Sequence, residues 1–156
     1  MLPDRKRIRD LFEGLLGRDV ALDDGTPVDL GIPKPVLASY VDDTQQLRAV
    51  ALMSFGLAAR SGAAIALIPP GAVEAAEEDR LLPVNLFENA SEICNVLAAP
   101  LGDAMGVHLR LASTYSPSES IPAHVLHLAA QVGVREDVAL DITGYGSGEL
   151  SLVASV

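Results

Sequence analysis

The 156-residue chain has no Trp, only three Phe and three Tyr, and a single Cys. With aromatics at 4%, a core has to be assembled from Ala, Val, Leu and Ile. One Cys excludes an internal disulfide and a cysteine-based metal cluster. Cations are scarce: 11 Lys and Arg stand against 21 Asp and Glu, for a net charge of −10. That balance disfavours nucleic-acid phosphates and anionic membrane surfaces, and favours a partner that offers Lys or Arg. No apolar run approaches the roughly 18 residues of a helical membrane span. No cationic start followed by an apolar run and a small-residue cleavage site is present, so a cytoplasmic location is the default expectation.

What is present suffices for a packed domain. Hydrophobic residues make up 49% of the chain, and the mean hydropathy is +0.31, which argues against disorder. The length fits one domain over residues 1–156.

Residues 4–16 repeat apolar side chains at Ile8, Leu11, Phe12, Leu15 and Leu16, the spacing of an amphipathic helix, with Gly17 placed to end it. The cluster Arg5, Lys6, Arg7 and Arg9 reads as its solvated face. Residues 18–34 carry turn chemistry and room for a short strand. Their Asp23-Asp24-Gly25 lacks the later ligands of a calcium loop. Residues 35–41 and 46–55 read as strands joined at Asp42-Asp43-Thr44. Residues 62–68 read as a buried strand stopped by Pro69-Pro70, and 71–77 as a short helix. Residues 107–115 alternate as a strand, and 116–122 form a Ser/Pro loop. Residues 123–132 fit either a short helix or a strand; His124 and His127 within them lack a third metal ligand. Residues 137–143 and 149–154 alternate as strands about the Gly-rich turn 144–148, which lacks the Lys-Ser/Thr of a phosphate loop.

The chemistry concentrates in residues 86–101, LFENASEICNVLAAPL. At roughly 100° per residue, Glu88, Glu92 and Asn95 fall on one strip, continued by Ala99. Leu86, Ala90, Ile93 and Leu97 take the opposite face, flanked by Phe87, Cys94 and Val96. The helix carries no Lys or Arg to pair with its two carboxylates, and Ala98-Ala99 leave low relief where another protein can approach. Glu and Asn on a wet face also serve plain solubility. Pro100 cannot donate to the carbonyl of Val96, so the helix must end or kink there.

SEICNVLAAP resembles the signature helix of the CheC/CheX/FliY phosphatases of bacterial chemotaxis, a Glu-x-x-Asn followed by two small residues. Glu88 stands where that pattern has Asp or Ser, and Pro117 stands where it has a later Pro. Cys94 and Ala99 replace Gly, and Pro100 is an addition. One such helix in an order of helix, strands, motif helix, strands is closest in layout to CheX. The resemblance implies an α+β fold, a mostly antiparallel sheet with an N-terminal helix and a long motif helix packed on it. It implies a phosphatase acting on the phosphoaspartate of a CheY-like receiver domain. Asn95 would orient the attacking water and Glu92 would dock on the receiver lysine. Glu88, Ser91 and Ala99 would complete the contact, and Mg²⁺ would come from the receiver, with no cofactor of the chain's own. CheX-like proteins can dimerise through sheet edges, so a homodimer is admitted, but no edge is nominated by the sequence. The competing reading is a non-catalytic module of the same fold, of the adaptor or flagellar-switch type, which Glu88, Cys94 and Pro100 favour.

Overall fold

The computed structural model describes residues 1–155. In chain order the elements are α1 (Arg5–Leu16), β1 (Val20–Asp24), β2 (Val36–Val41), β3 (Leu47–Met53), α2 (Phe55–Ile65), α3 (Gly71–Asp79), α4 (Val84–Val96), α5 (Ala98–Met105), β4 (Arg110–Tyr115), α6 (Ala123–Ala129), β5 (Val134–Ile142) and β6 (Gly146–Ala154). The strands form one open sheet of order β1-β5-β6-β3-β2-β4, and every neighbouring pair is antiparallel. The α+β architecture expected from the sequence is the one observed.

Period-two side-chain alternation explains how the sheet is covered. Val36, Ala38 and Tyr40 of β2 and Ala49, Ala51 and Met53 of β3 join the main core with Ile8, Phe12 and Leu16 of α1 and with Leu86 and Ile93 of α4. The intervening Leu37, Val50 and Leu52 enter a smaller core on the opposite face, under Val125, Leu128 and Ala129 of α6 and Val28 of the loop before β2. This second layer keeps β2 buried along its whole length. The hydroxyl of Ser151, itself fully buried, ties that loop down: it accepts from the Val28 N–H at 2.9 Å and donates to Asp137 at 2.6 Å.

The first helix follows its sequence signals. The Asp4 carboxylate accepts from the Arg7 N–H at 2.8 Å, and Gly17 closes the helix at φ +66°, a conformation that glycine adopts without a Cβ penalty. Its cationic face is exposed and ion-paired: Arg5 with Asp24 and Glu136, Lys6 with Asp10, Arg7 with Asp103.

Two expectations are corrected. Residues 62–68 are not a strand: residues 55–65 form α2, and Phe55 opens that helix rather than closing β3. Ser54 supplies the N-cap, its side chain accepting from the Leu57 N–H at 3.1 Å. The Ala-rich run between Leu57 and Ile65 favours helix intrinsically, and a continuous apolar run does not by itself separate a buried strand from a buried helix. The ambiguous segment 123–132 resolves as helix over Ala123–Ala129, with His124 and His127 both exposed.

The β2–β3 turn is organised by Asp42. Its carboxylate accepts from the Thr44 hydroxyl at 2.6 Å, from the N–H groups of Thr44 and Gln46, and from Arg48 at 3.1 Å. Its pKa falls from 3.8 to about 2, first through the Thr44 hydroxyl and then through the Gln46 N–H and Arg48. A carboxylate depressed in the folded state stabilises above its unfolded pKa and loses that contribution as pH falls toward the folded one. The melting temperature is therefore expected to fall between about pH 4 and pH 2, and Asp42→Asn to flatten that segment of a melting profile taken across pH.

Candidate functional site

The helix of the sequence motif is α4, and its orientation is set by what it buries. Leu86, Ala90, Ile93 and Cys94 are at most 1% exposed, so the opposite arc must face outward. Glu88, Glu92, Asn95 and Ala99 are all exposed. Among the described residues, the side chains of Glu88, Glu92 and Asn95 make no hydrogen bond or ion pair. An acid and an amide one turn apart thus stand free on the surface. Ser91 differs: it is half-buried, and its hydroxyl donates to the Phe87 carbonyl of its own helix at 2.8 Å.

Pro100 interrupts the helical run without ending it. The α-helical hydrogen-bond pattern breaks at Leu97 and resumes in α5 as far as Met105, with the Leu101 N–H reaching the Leu97 carbonyl at 3.1 Å. The chain therefore continues as helix past Pro100 rather than ending there. Asn95 and Ala99 line a shallow depression together with His108 and Leu109, which precede β4, and Arg110, its first residue. Ala99 also borders a second depression shared with Lys6 and Arg7 of α1. The side chains beside the strip are engaged: Arg7 with Asp103 at 2.7 Å, the His108 ring with Asp43 at 2.8 Å, Arg110 with Gln45.

Two residues that periodicity did not single out hold this helix in place. Asn89 donates from Nδ2 to the Gly62 carbonyl at 2.9 Å, tying α4 to α2. Tyr40, fully buried in β2, donates to the Cys94 carbonyl at 2.6 Å, immediately before Asn95 and close to the Leu97 break. Burial raises the Tyr40 pKa well above its ordinary value, so the phenol stays protonated as a donor. Tyr40→Phe is expected to leave that carbonyl buried without its partner, at about 1–3 kcal/mol. The check is a lower denaturant midpoint at an unchanged slope.

Cys94 is 1% exposed, and burial pushes its pKa to about 12. A thiol so placed is no thiolate nucleophile near neutral pH. Pro117 is not brought to Asn95. It lines a groove with Leu81 and Leu82, just before the opposite end of α4.

The open antiparallel sheet with α1 and α4 packed on one face is a fold that this chain shares with CheX, FliY and the middle domain of FliM. FliM in the FliM–SpeE complex from H. pylori superposes with a TM-score of 0.62 at 10% identity, over 97% of this chain and 81% of that one. FliY from Thermotoga maritima gives 0.54 at 13% identity, over 94% of this chain and 82% of that one. CheX in the CheX–CheY–BeF3–Mg²⁺ complex from Borrelia burgdorferi gives 0.53 at 9% identity, over 94% of this chain and 92% of that one. At such identities the likeness is one of fold. No family model matches the sequence, and no curated protein matches it. No helix among the described residues is long and apolar enough to cross a membrane.

Proposed function

We propose that the chain hydrolyses the phosphoaspartate of a CheY-like receiver domain, with Asn95 orienting the water and Glu92 docking on the receiver lysine. The observation that carries this reading is the free, outward Glu92–Asn95 pair on a helix otherwise committed to the core. An aspartyl phosphate is an acyl phosphate, and its hydrolysis needs an in-line water and charge compensation. The water attacks phosphorus, the P–O bond to the acyl oxygen breaks, and carboxylate and inorganic phosphate leave. The receiver brings Mg²⁺ and a Lys of its own to neutralise charge. What remains to be supplied is a positioned water, and a carboxamide offers both a donor and an acceptor for holding one. Glu92, one turn earlier, supplies the carboxylate that fixes the register of docking through a charge-assisted bond. Glu88 extends the same acidic strip, Ser91 sits on its border, and Ala99 keeps the approach low. The CheX whose fold this chain shares has been crystallised with CheY, BeF3 and Mg²⁺, which supports a receiver as the partner.

The adaptor reading is favoured by a different observation: FliM, of the same fold, has been crystallised in complex with SpeE, another protein. One experiment separates the two. A CheY-like receiver is phosphorylated with acetyl phosphate, and its phosphate lifetime is followed with and without this chain. A shortened lifetime supports the phosphatase. A stable complex with an unchanged lifetime selects the adaptor and removes catalysis from the strip.

A further inference from the structure

A second surface lies at the other end of α4. Leu81 and Ile32, 63% and 80% exposed, form the lips of a groove floored by Phe55 and walled by Pro117, with Lys34 and Arg80 at its sides. Large apolar side chains are seldom presented in pairs beside a concavity without a partner to cover them.

The charge of the groove is at odds with the rest of the chain. Of the 11 Lys and Arg, Arg5, Lys6, Arg7, Arg9, Arg48, Arg60 and Arg135 are all ion-paired with carboxylates. Arg18 donates to the Thr143 carbonyl and lies over the Tyr145 ring, and Arg110 donates to Gln45. That leaves Lys34 and Arg80 as the two cations without a partner among the described residues, and both border this one groove. No Asp or Glu lines it, in a chain with 21 of them. Acidic residues line the neighbouring depressions instead: Asp29, Glu77 and Glu149 one that shares Phe55, where Glu77 is held by Arg60 at 3.0 Å, and Glu119 one that shares Lys34, where its carboxylate accepts from the Ser116 N–H at 3.0 Å. Arg80 caps α3 at φ +53°, a position where Gly is the usual and less strained choice. A cation at this C-cap complements the α3 dipole, yet the guanidinium makes no hydrogen bond or ion pair among the described residues and is free to pair with a carboxylate-bearing partner.

We propose that this groove docks a short segment of a partner protein that carries a large apolar side chain next to carboxylates. The apolar group would sit over Phe55 between Ile32 and Leu81, and its acidic neighbours would pair with Lys34 and Arg80. The groove opens beside Leu82, just before α4, and the first residue of that helix, Val84, lies about 17 Å along it from Asn95 at 1.5 Å per residue. Occupancy of one site therefore leaves the other accessible, and the proposal stands whether or not the Glu92–Asn95 strip is catalytic.

The test is selection of a phage-displayed library of short random peptides on the full chain, with recovered peptides measured by fluorescence anisotropy. Recovered sequences are expected to place Leu, Ile or Phe beside Asp or Glu. Their binding is expected to weaken roughly tenfold or more with Lys34→Glu/Arg80→Glu together, and with Leu81→Ser. Both variants alter exposed side chains only, and circular dichroism confirms that they fold. No enrichment, enrichment of basic peptides, or binding indifferent to both variants would overturn the proposal. So would a concentration-dependent dimer in sedimentation that Leu81→Ser dissolves, which would assign the groove to a second copy of the chain.

Discussion

Asn95→Ala is expected to slow receiver dephosphorylation by on the order of 10² or more while leaving the chain's affinity for the phosphorylated receiver largely intact. The size follows from what the carboxamide does. Positioning a nucleophile replaces an entropic search by a held geometry, and losing such a group commonly costs 10²-fold, about 2.7 kcal/mol in the barrier. Asn95 is exposed and makes no hydrogen bond among the described residues, so its removal leaves no orphaned partner and the fold stays as it is. Glu92→Ala is expected to divide the effect differently. Its carboxylate is assigned to docking, so the concentration of receiver needed for half-maximal rate rises, and the rate at saturation falls less than for Asn95→Ala. Single-turnover decay of phosphorylated receiver against increasing concentrations of the chain separates these outcomes. An Asn95→Ala protein that shortens the phosphate lifetime as well as the parent does would remove Asn95 from the chemistry, and with it the phosphatase reading of this helix.

How much of this is legible in the sequence depends on the kind of signal. The strip of α4 is legible because a 3.6-residue period is a local property, and its burial follows the apolar arc residue by residue: Leu86, Ala90, Ile93 and Leu97 are all buried. The first helix is legible for the same reason, with Asp4 and Gly17 marking its ends. α2 is not, because Gly62 to Ile68 is apolar all round and has no period to read. The decisive signal there is short-range and easily overlooked, namely the cap at Ser54. The Pro100 interruption is legible as a break, but whether the chain resumes as helix depends on tertiary burial of Leu97, Leu101 and Gly102. The supports of the site are less legible still. Asn89 and Tyr40 act through carbonyls on other elements, 27 and 54 residues away in sequence. Residue type and spacing on a single helix carry no trace of such pairings. A polar residue at the border of an apolar arc, such as Asn89, is the one hint the sequence offers.

Gly62→Ala is expected to destabilise the protein by about 2–3 kcal/mol, lowering the melting temperature by roughly 4–12 °C. The substitution ordinarily stabilises a helix, by up to about 1 kcal/mol, so the expected sign comes from packing. A Cβ at Gly62 would lie 2.5 Å from the Leu86 carbonyl oxygen and 3.3 Å from the Leu86 Cα, both backbone atoms of α4 that cannot swing aside. Reaching the 3.4 Å of ordinary contact requires the two helices to part by about 0.9 Å, the difference between 3.4 and 2.5. That displacement stretches the 2.9 Å bond from Asn89 to the Gly62 carbonyl and loosens Leu86, Ala90 and Ile93 against the core. Close-packed interiors do not absorb such a shift without loss. Gly14 in α1 is the internal control, since a Cβ there meets nothing within 4 Å. Gly14→Ala is expected to leave stability unchanged or raise it by up to about 1 kcal/mol. Opposite signs for one chemical change, read in paired thermal melts, would establish that α4 is held by direct backbone contact with α2. If Gly62→Ala melts no lower than the parent, the helix bearing Glu92 and Asn95 is not fixed in this way, and its outward strip must owe its orientation to the sheet beneath it, through Tyr40.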